Sequence, residues 1–489
     1  MSTSQAIELA TLTIRHPHHS DPELQEGPSQ PRIPPENESS VSKKRSNVDE
    51  KTYQLHGHED PANYPDGGFK AYSVIFGSFL GLIVNLGLIN SIGAIQAYVS
   101  THQLVDMKAT SISWIFSIYL SLAYAGGVVT GPIFDRKGPL SILILSTIFI
   151  FAGLMGAANS TNIWQFILSF ISLGIGNGMG MTPLIGVISH WFLKKRGNCT
   201  GLATSGGSVG GLIFPLMLRH AYSQYGYVWA IRILAFICLG LMILSILLVK
   251  ERFSSEKDNK SDSEEEEVEV EVEHQFNNKW QQFITKFAAK MKLADSKYIL
   301  VVFGTFFSEL SLILLLTYFA TYAMAQGASE SSSYILLTVW NGAGILGRWI
   351  PGYISDYMGR FNINILMLIG YNFCILVLLY PFAGSNIRVL YAFAILGGYC
   401  SGSILSLVPA CLSQITPVNE IGTKYGILNF VLSLANLFGI PIAASIIKHG
   451  TTQEYNHFII LVGCLAVTGT IFWYSSRVAI VGFKMNVKV

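Results

Sequence analysis

Charge is what this chain has least of. Asp, Glu, Lys and Arg make up 13% of its 489 residues, against 51% aliphatic and aromatic residues. A soluble domain cannot cover that much apolar surface. The formal net charge is only +2, which argues against a nucleic-acid surface or a steering field for charged partners. Cysteine is also sparse. Cys199, Cys238, Cys374, Cys400, Cys411 and Cys464 stand singly at or within apolar segments, without metal-ligand spacing, and are expected to be small buried hydrophobes. The cluster Gly206, Gly207, Gly210 and Gly211 lacks Walker spacing and its Gly-Lys-Ser/Thr ending, so ATP-driven pumping is disfavoured. No nucleophile stands with a base or metal cluster at diagnostic spacing, so neither an enzyme activity nor a cofactor or metal is expected. A cleavable signal peptide is missing too, and the first apolar helix is expected to serve as the insertion signal.

What the chain does have is long apolar runs, recurring from Tyr72 almost to its end. A bilayer core needs about 20 apolar residues per helical crossing, and the runs lack the alternation of a barrel wall. Crossing helices are expected at Tyr72 to Val99, Ser111 to Phe134, Leu140 to Ala158, Ile163 to His190, Gly201 to Leu218 and Val228 to Val249. Six more are expected at Lys297 to Ala325, Ser331 to Ile354, Asn362 to Phe382, Ile387 to Ser413, Tyr425 to Ile447 and His457 to Ser475. This predicts an all-α membrane protein of twelve helices, with a disordered tail (1–65), a six-helix bundle (66–250), an acidic linker (251–296), a second bundle (297–476) and a short tail (477–489). Short loops on the linker side carry Arg136, Lys137, Lys194, Lys195, Arg196, Arg360 and Lys424, more cations than the opposite loops. The positive-inside rule therefore places both termini and the linker in the cytoplasm. Ser261 and Ser263, just ahead of the acidic run, are candidate kinase sites on the linker.

The halves repeat one another. The second expected helix exits through Gly131-Pro132-Ile133-Phe134-Asp135-Arg136-Lys137-Gly138, and the eighth through Pro351-Gly352-Tyr353-Ile354-Ser355-Asp356-Tyr357-Met358-Gly359-Arg360. Two six-helix halves, a charged linker and these Asp, Arg and Gly turns resemble the major facilitator superfamily. Asp66-Gly67-Gly68-Phe69 and Asn90-Ser91-Ile92-Gly93 resemble its monocarboxylate-transporter-like family, in particular the fungal branch. Phe307-Ser308-Glu309-Leu310-Ser311, Gly347-Arg348-Trp349-Ile350-Pro351 and Cys400-Ser401-Gly402-Ser403 are similar to riboflavin-carrying members of that branch. The resemblance implies helices one, four, seven and ten around a central cavity and three, six, nine and twelve at the periphery. It also assigns Asp135, Arg136, Gly138, Asp356, Gly359 and Arg360 to a gate between the halves. Asn90 and Gly344 stand where animal members of the family place a lysine and an aspartate.

Within the membrane, Glu309 lies about 18 Å into helix seven, where an ionisable group without a partner is expensive. Arg348 on helix eight is the natural partner, and the pair would leave the cavity close to neutral. A directly substrate-bound or snorkelling arginine is the alternative. Asn341 precedes Arg348 by seven residues and shares its face. Tyr318 lies with Ser311 and Tyr322 on one face of helix seven, offering a flat ring a stacking surface or simply packing. Asn90 needs a partner in an apolar helix. Asn90, Glu309, Tyr318, Asn341 and Arg348 are therefore the expected substrate contacts. The resemblance implies riboflavin uptake at the plasma membrane by facilitated diffusion, with a vacuolar location as an alternative. Proton-coupled transport of a monocarboxylate or other organic anion, and a non-transporting nutrient receptor, are the competing readings. The expected partners are a small organic solute and the lipid bilayer.

Overall fold

A computed structural model describes residues 64–105, 107, 109–252, 295–382, 386–448, 450–484 and 487–489. Nearly all of the expected N-terminal tail and acidic linker, including Ser261 and Ser263, lies outside the described residues.

The first half contains α1 (Phe69–Thr101), α2 in two segments (Ala109–Ala125 and Gly127–Lys137) interrupted at Gly126, α3 (Leu140–Asn159), and α4 (Ile163–Gly186) extended by the turn Ile188–Trp191. A continuous helical stretch of 53 residues then runs Arg196–Leu248. Straight, it would be about 80 Å long, far beyond the roughly 30 Å of a bilayer core. It turns instead at Gly226, whose φ of 71° favours glycine, so residues 196–225 form α5 and 227–248 form α6. The second half contains α7 (Ser296–Ala325), α8 (Glu330–Met358), α9 (Arg360–Phe373, continuing through the π-helical Cys374–Leu379), α10 (Ile387–Leu412), α11 (Ile421–Ile447) and α12 (Thr452–Val481).

Among the described residues, ten stretches are long and apolar enough to cross a membrane, with Arg196–Leu248 counting once. Dividing that stretch at Gly226 and adding α8, which is 29 residues long but interrupted by Asn341, Arg348 and Asp356, gives the expected twelve.

Helix starts are fixed by local chemistry. Asn162 and Gln165 form a capping box at α4, Asn386 caps α10 at the corresponding point of the second half, and Thr451 with Glu454 caps α12. The peripheral helices are apolar on their outer faces as well. Ile148 on α3, Leu247 on α6, Leu366 on α9 and Ile471 on α12 are each more than half exposed, a surface that fits lipid and not water. Cys464 lies exposed on α12 and Cys400 is half-buried, unlike the other four cysteines, which are buried as expected. The bundles meet along two helix pairs, α2 with α11 and α5 with α8, with α10 also against α5. These pairs are related by the internal repeat, since α2 corresponds to α8 and α5 to α11.

Candidate functional site

At the linker face, the two repeated turns do the same job on opposite sides of the molecule. The Asp135 carboxylate at the end of α2 accepts from the Gly422 and Thr423 amides at 2.8 and 2.7 Å and from the Thr423 hydroxyl at 2.6 Å. Asp356, at the end of α8, accepts from the Gly197 and Asn198 amides at 2.9 and 2.8 Å. Each aspartate thus caps the N-terminus of a helix in the other bundle, where orphan amides and the helix dipole favour negative charge. Arg360 pairs with Asp356 at 3.4 Å and donates to the Leu193 carbonyl at 2.7 Å. The helices approach closely here: a Cβ on Gly422 would lie 2.8 Å from the Gly131 carbonyl, and one on Gly352 2.6 Å from that of Gly197.

Of the expected gate residues, Asp135, Asp356 and Arg360 therefore bond across the bundles. Gly138 and Gly359 end α2 and α8 at φ 76° and 100°, while Arg136 points into solvent. Sequence reasoning counted Arg196 as a loop cation. Instead it is buried, donating to Phe192 and Ser189 of its own bundle and to Ser413 of the other at 2.9 Å.

Deeper in the membrane, the bundles enclose a cavity lined by Asn90 of α1, Ser208 of α5, Leu312 and Leu316 of α7, Trp340, Asn341, Gly344 and Arg348 of α8, and Ser401 of α10. Asn90 donates to the Gly207 carbonyl at 3.0 Å and Asn341 to that of Leu337 at 3.1 Å. Both side chains lie against Gly211 of α5. A Cβ there would sit 2.8 Å from Asn90 Cβ and 2.9 Å from Asn341 Oδ1. Three expected contacts, Asn90, Asn341 and Arg348, thus come together on one wall.

Two others do not. Tyr318 lies off the cavity, with its hydroxyl donating to the Ile440 carbonyl of α11 at 3.2 Å and its ring edge-on to Phe458 of α12. Ser311 donates to Val462 of α12, and Tyr322 packs on Tyr455. The polar face of α7 is thus satisfied inside its own bundle, and the residues it turns to the cavity are leucines. Glu309 shares the Leu312 and Leu316 face but is buried and does not line the cavity. It makes no salt bridge with Arg348 among the described residues. Arg348 Nη1 donates instead to the Thr204 carbonyl of α5 at 2.7 Å, and Glu309 lies within electrostatic reach of Arg348 and of Tyr124 on α2. Sequence reasoning missed Tyr124, which follows Leu122 and Ala123 in an apolar stretch. Its one signal is its place two residues before the Gly126-Gly127 pair that interrupts α2.

Comparison with known proteins agrees with this architecture. A family model described as Major Facilitator Superfamily matches residues 73–439. The chain is 42% identical over 440 residues to "Riboflavin transporter MCH5" of Saccharomyces cerevisiae, covering 87% of this chain and 82% of that protein. It is 33% identical over 431 residues to "MFS-type transporter 1" of an Ophiocordyceps species, covering 88% and 90%. Among solved structures, the proton:xylose symporter XylE bound to 6-bromo-6-deoxy-D-glucose superposes with a TM-score of 0.64 at 15% identity, covering 83% of this chain and 95% of that one.

Proposed function

The chain belongs to the major facilitator superfamily, and from that premise we propose that it carries riboflavin across the plasma membrane by alternating access, without an obligatory ion. The observation that carries this reading is the 42% identity, over most of both chains, to a riboflavin transporter. The cavity is consistent with it. Asn90, Asn341, Ser208 and Ser401 line it and offer a polar solute hydrogen-bonding groups. Asn90 and Gly344 stand where the resemblance places a lysine and an aspartate, so both charges that would serve proton-coupled carboxylate transport are missing. Both termini and the linker lie in the cytoplasm, so the aspartate-capped seal is the inner gate. Asn90, Asn341 and Arg348 hold the solute, which leaves by the inner face once α2 parts from α11 and α5 from α8.

One observation favours a second reading. Arg348 reaches the cavity wall as a cation, which would serve as counter-charge to an organic anion entering with a proton. Uptake of labelled riboflavin and labelled lactate, in cells lacking endogenous carriers and with surface expression verified, separates the two. Riboflavin accumulation without lactate accumulation is the expected result. Riboflavin uptake no higher than in vector controls overturns the reading.

A further inference from the structure

The chain that follows α12 does not trail away from its bundle. After Gly482, whose φ of 69° turns it back, it returns to the start of α9. Phe361 donates its backbone amide to the Val489 carbonyl at 2.9 Å, and Asn362 its side-chain amide to the Val487 carbonyl at 3.1 Å. Arg477, buried near the end of α12, donates to the Lys484 carbonyl at 2.9 Å and to the side-chain oxygen of Asn362. These anchors on the returning stretch are all backbone carbonyls. Its side chains alternate: Val489 is 1% exposed, Val487 is half-buried, and Lys488 between them faces solvent. Gly359 permits the approach, since a Cβ there would lie 2.5 Å from the Val489 carbonyl oxygen. It also leaves α9 without a side-chain cap, so the amides of the first turn need an acceptor from elsewhere.

The contact falls on the turn that carries the seal. Arg360, between Gly359 and Phe361, pairs with Asp356 and donates to Leu193 of the first bundle. The first half repeats the arrangement with a different residue: Glu251, just past α6, lies against Gly138, so that a Cβ on Gly138 would meet its side chain. In each bundle the chain leaving the last helix therefore packs on the glycine that ends the gate helix. We propose that the α8–α9 turn and the end of α12 form a peptide-docking groove, that its occupant is the chain's own Val487–Val489, and that docking braces the turn where Asp356 and Arg360 meet the first bundle. Backbone carbonyls supply the hold and two inward-facing valines the selectivity, as in the recognition of extended peptides. All the anchors of the brace belong to the second bundle, so it sets the position of a gate turn without crossing the seam. The brace rests on reading the aspartate-capped seal as the inner gate, and not on the identity of the solute.

The test is hydrogen–deuterium exchange on the purified full-length carrier in nanodiscs, which requires no solute. Val489→Lys puts a charge where the valine is buried, and losing that burial shifts docking by roughly tenfold or more. Exchange at the first turn of α9 is expected to rise by about that factor. Exchange at Gly197 and Asn198, whose amides Asp356 holds, is expected to rise by about fivefold or more. Lys488→Ala, at the exposed position, should change neither region. A synthetic peptide with the sequence of residues 484–489, added to Val489→Lys, should return both regions to wild-type exchange. Where Val489→Lys does not fold, Val489→Ala is read in the same way. Faster exchange at α9 with Gly197 and Asn198 unchanged overturns the brace. Unchanged exchange at α9, or no recovery with the peptide, overturns the docking groove, and faster exchange throughout both bundles overturns the two together. Asp356→Asn in the same assay separates this proposal from the gate reading: no rise at Gly197 and Asn198 there overturns the gate and the brace with it, whereas a rise there with none in Val489→Lys overturns the brace alone. Should riboflavin uptake fail while the expected exchange pattern appears, the substrate reading falls and the brace stands.

Discussion

Neutralising Asp356 offers the most direct measure of the seal. In Asp356→Asn the side chain keeps its shape, but the Gly197 amide donates to Oδ1 and the Asn198 amide to Oδ2, so one bond becomes neutral and the other is lost, because the Nδ2 that replaces an oxygen is itself a donor. Neutralising one bond costs about 1 kcal/mol and losing the other about 1.5–3 kcal/mol, and the interaction with the α5 dipole adds about 0.5 kcal/mol. Allowing for relaxation, roughly 3 kcal/mol of closure is lost, or about 150-fold in the closed-to-open ratio. Asp135 makes three such bonds to α11, so Asp135→Asn should act at least as strongly. The two sites lie on different helix pairs that open in one step, so their free energies should add. Spin labels at Lys137 and Asn419, both exposed and on opposite bundles at the linker face, report the ratio as populations of a short and a long distance. Cys464 and Cys400 are replaced to keep labelling specific. Each single variant should move population to the long distance, and the double variant should be predominantly open. An unchanged distribution in both single variants would show that the helix-capping bonds do not hold the bundles together.

Gly211→Val should fill the gap between Asn90 and Asn341, because even a Cβ there meets both within 2.9 Å. Riboflavin binding by isothermal titration is expected to weaken more than tenfold, and wild-type affinity would move the binding site elsewhere. Tyr318→Phe, which loses only a bond to Ile440 within its own bundle, should leave the KM for uptake within about twofold while lowering stability by about 1 kcal/mol. A large rise in KM at unchanged stability would return Tyr318 to the cavity. Asn90→Ala should raise KM severalfold, since Asn90 lines the cavity, with maximal rate and surface expression nearly intact; a KM unchanged from wild type would make Asn90 purely a clamp on Gly207.

The helix count and the repeated turns were legible because each is written in residues close along the chain. Apolar runs of bilayer length are continuous, and the turns around Asp135 and Asp356 repeat one pattern. A carboxylate at a helix end needs donors, and helix N-termini supply them. Even so, the sequence could not show that each aspartate caps a helix of the opposite bundle, or that Arg196 would be buried among three carbonyls. Those facts depend on how the bundles dock.

Polarity proved a poor guide to which side of α7 faces the cavity. Ser311 and Tyr318 bond to neighbouring helices of their own bundle, and Thr317 bonds to its own backbone at Ile313. The helix can therefore turn these groups away from the cavity without leaving them unsatisfied, and present Leu312 and Leu316 as the wall. Gly469 of α12 reinforces that choice by letting the Ser308 side of α7 approach closely. The depth of Glu309 announced that it must have a partner, and chain order suggested Arg348 on the next helix. Arg348 instead turns to the other repeat and donates to Thr204, while Glu309 lies near both Arg348 and Tyr124 of the other repeat. At the midplane the surfaces that meet belong to different bundles. The bond from Arg348 to Thr204 across the pseudo-twofold therefore reports on the conformation as well as the fold.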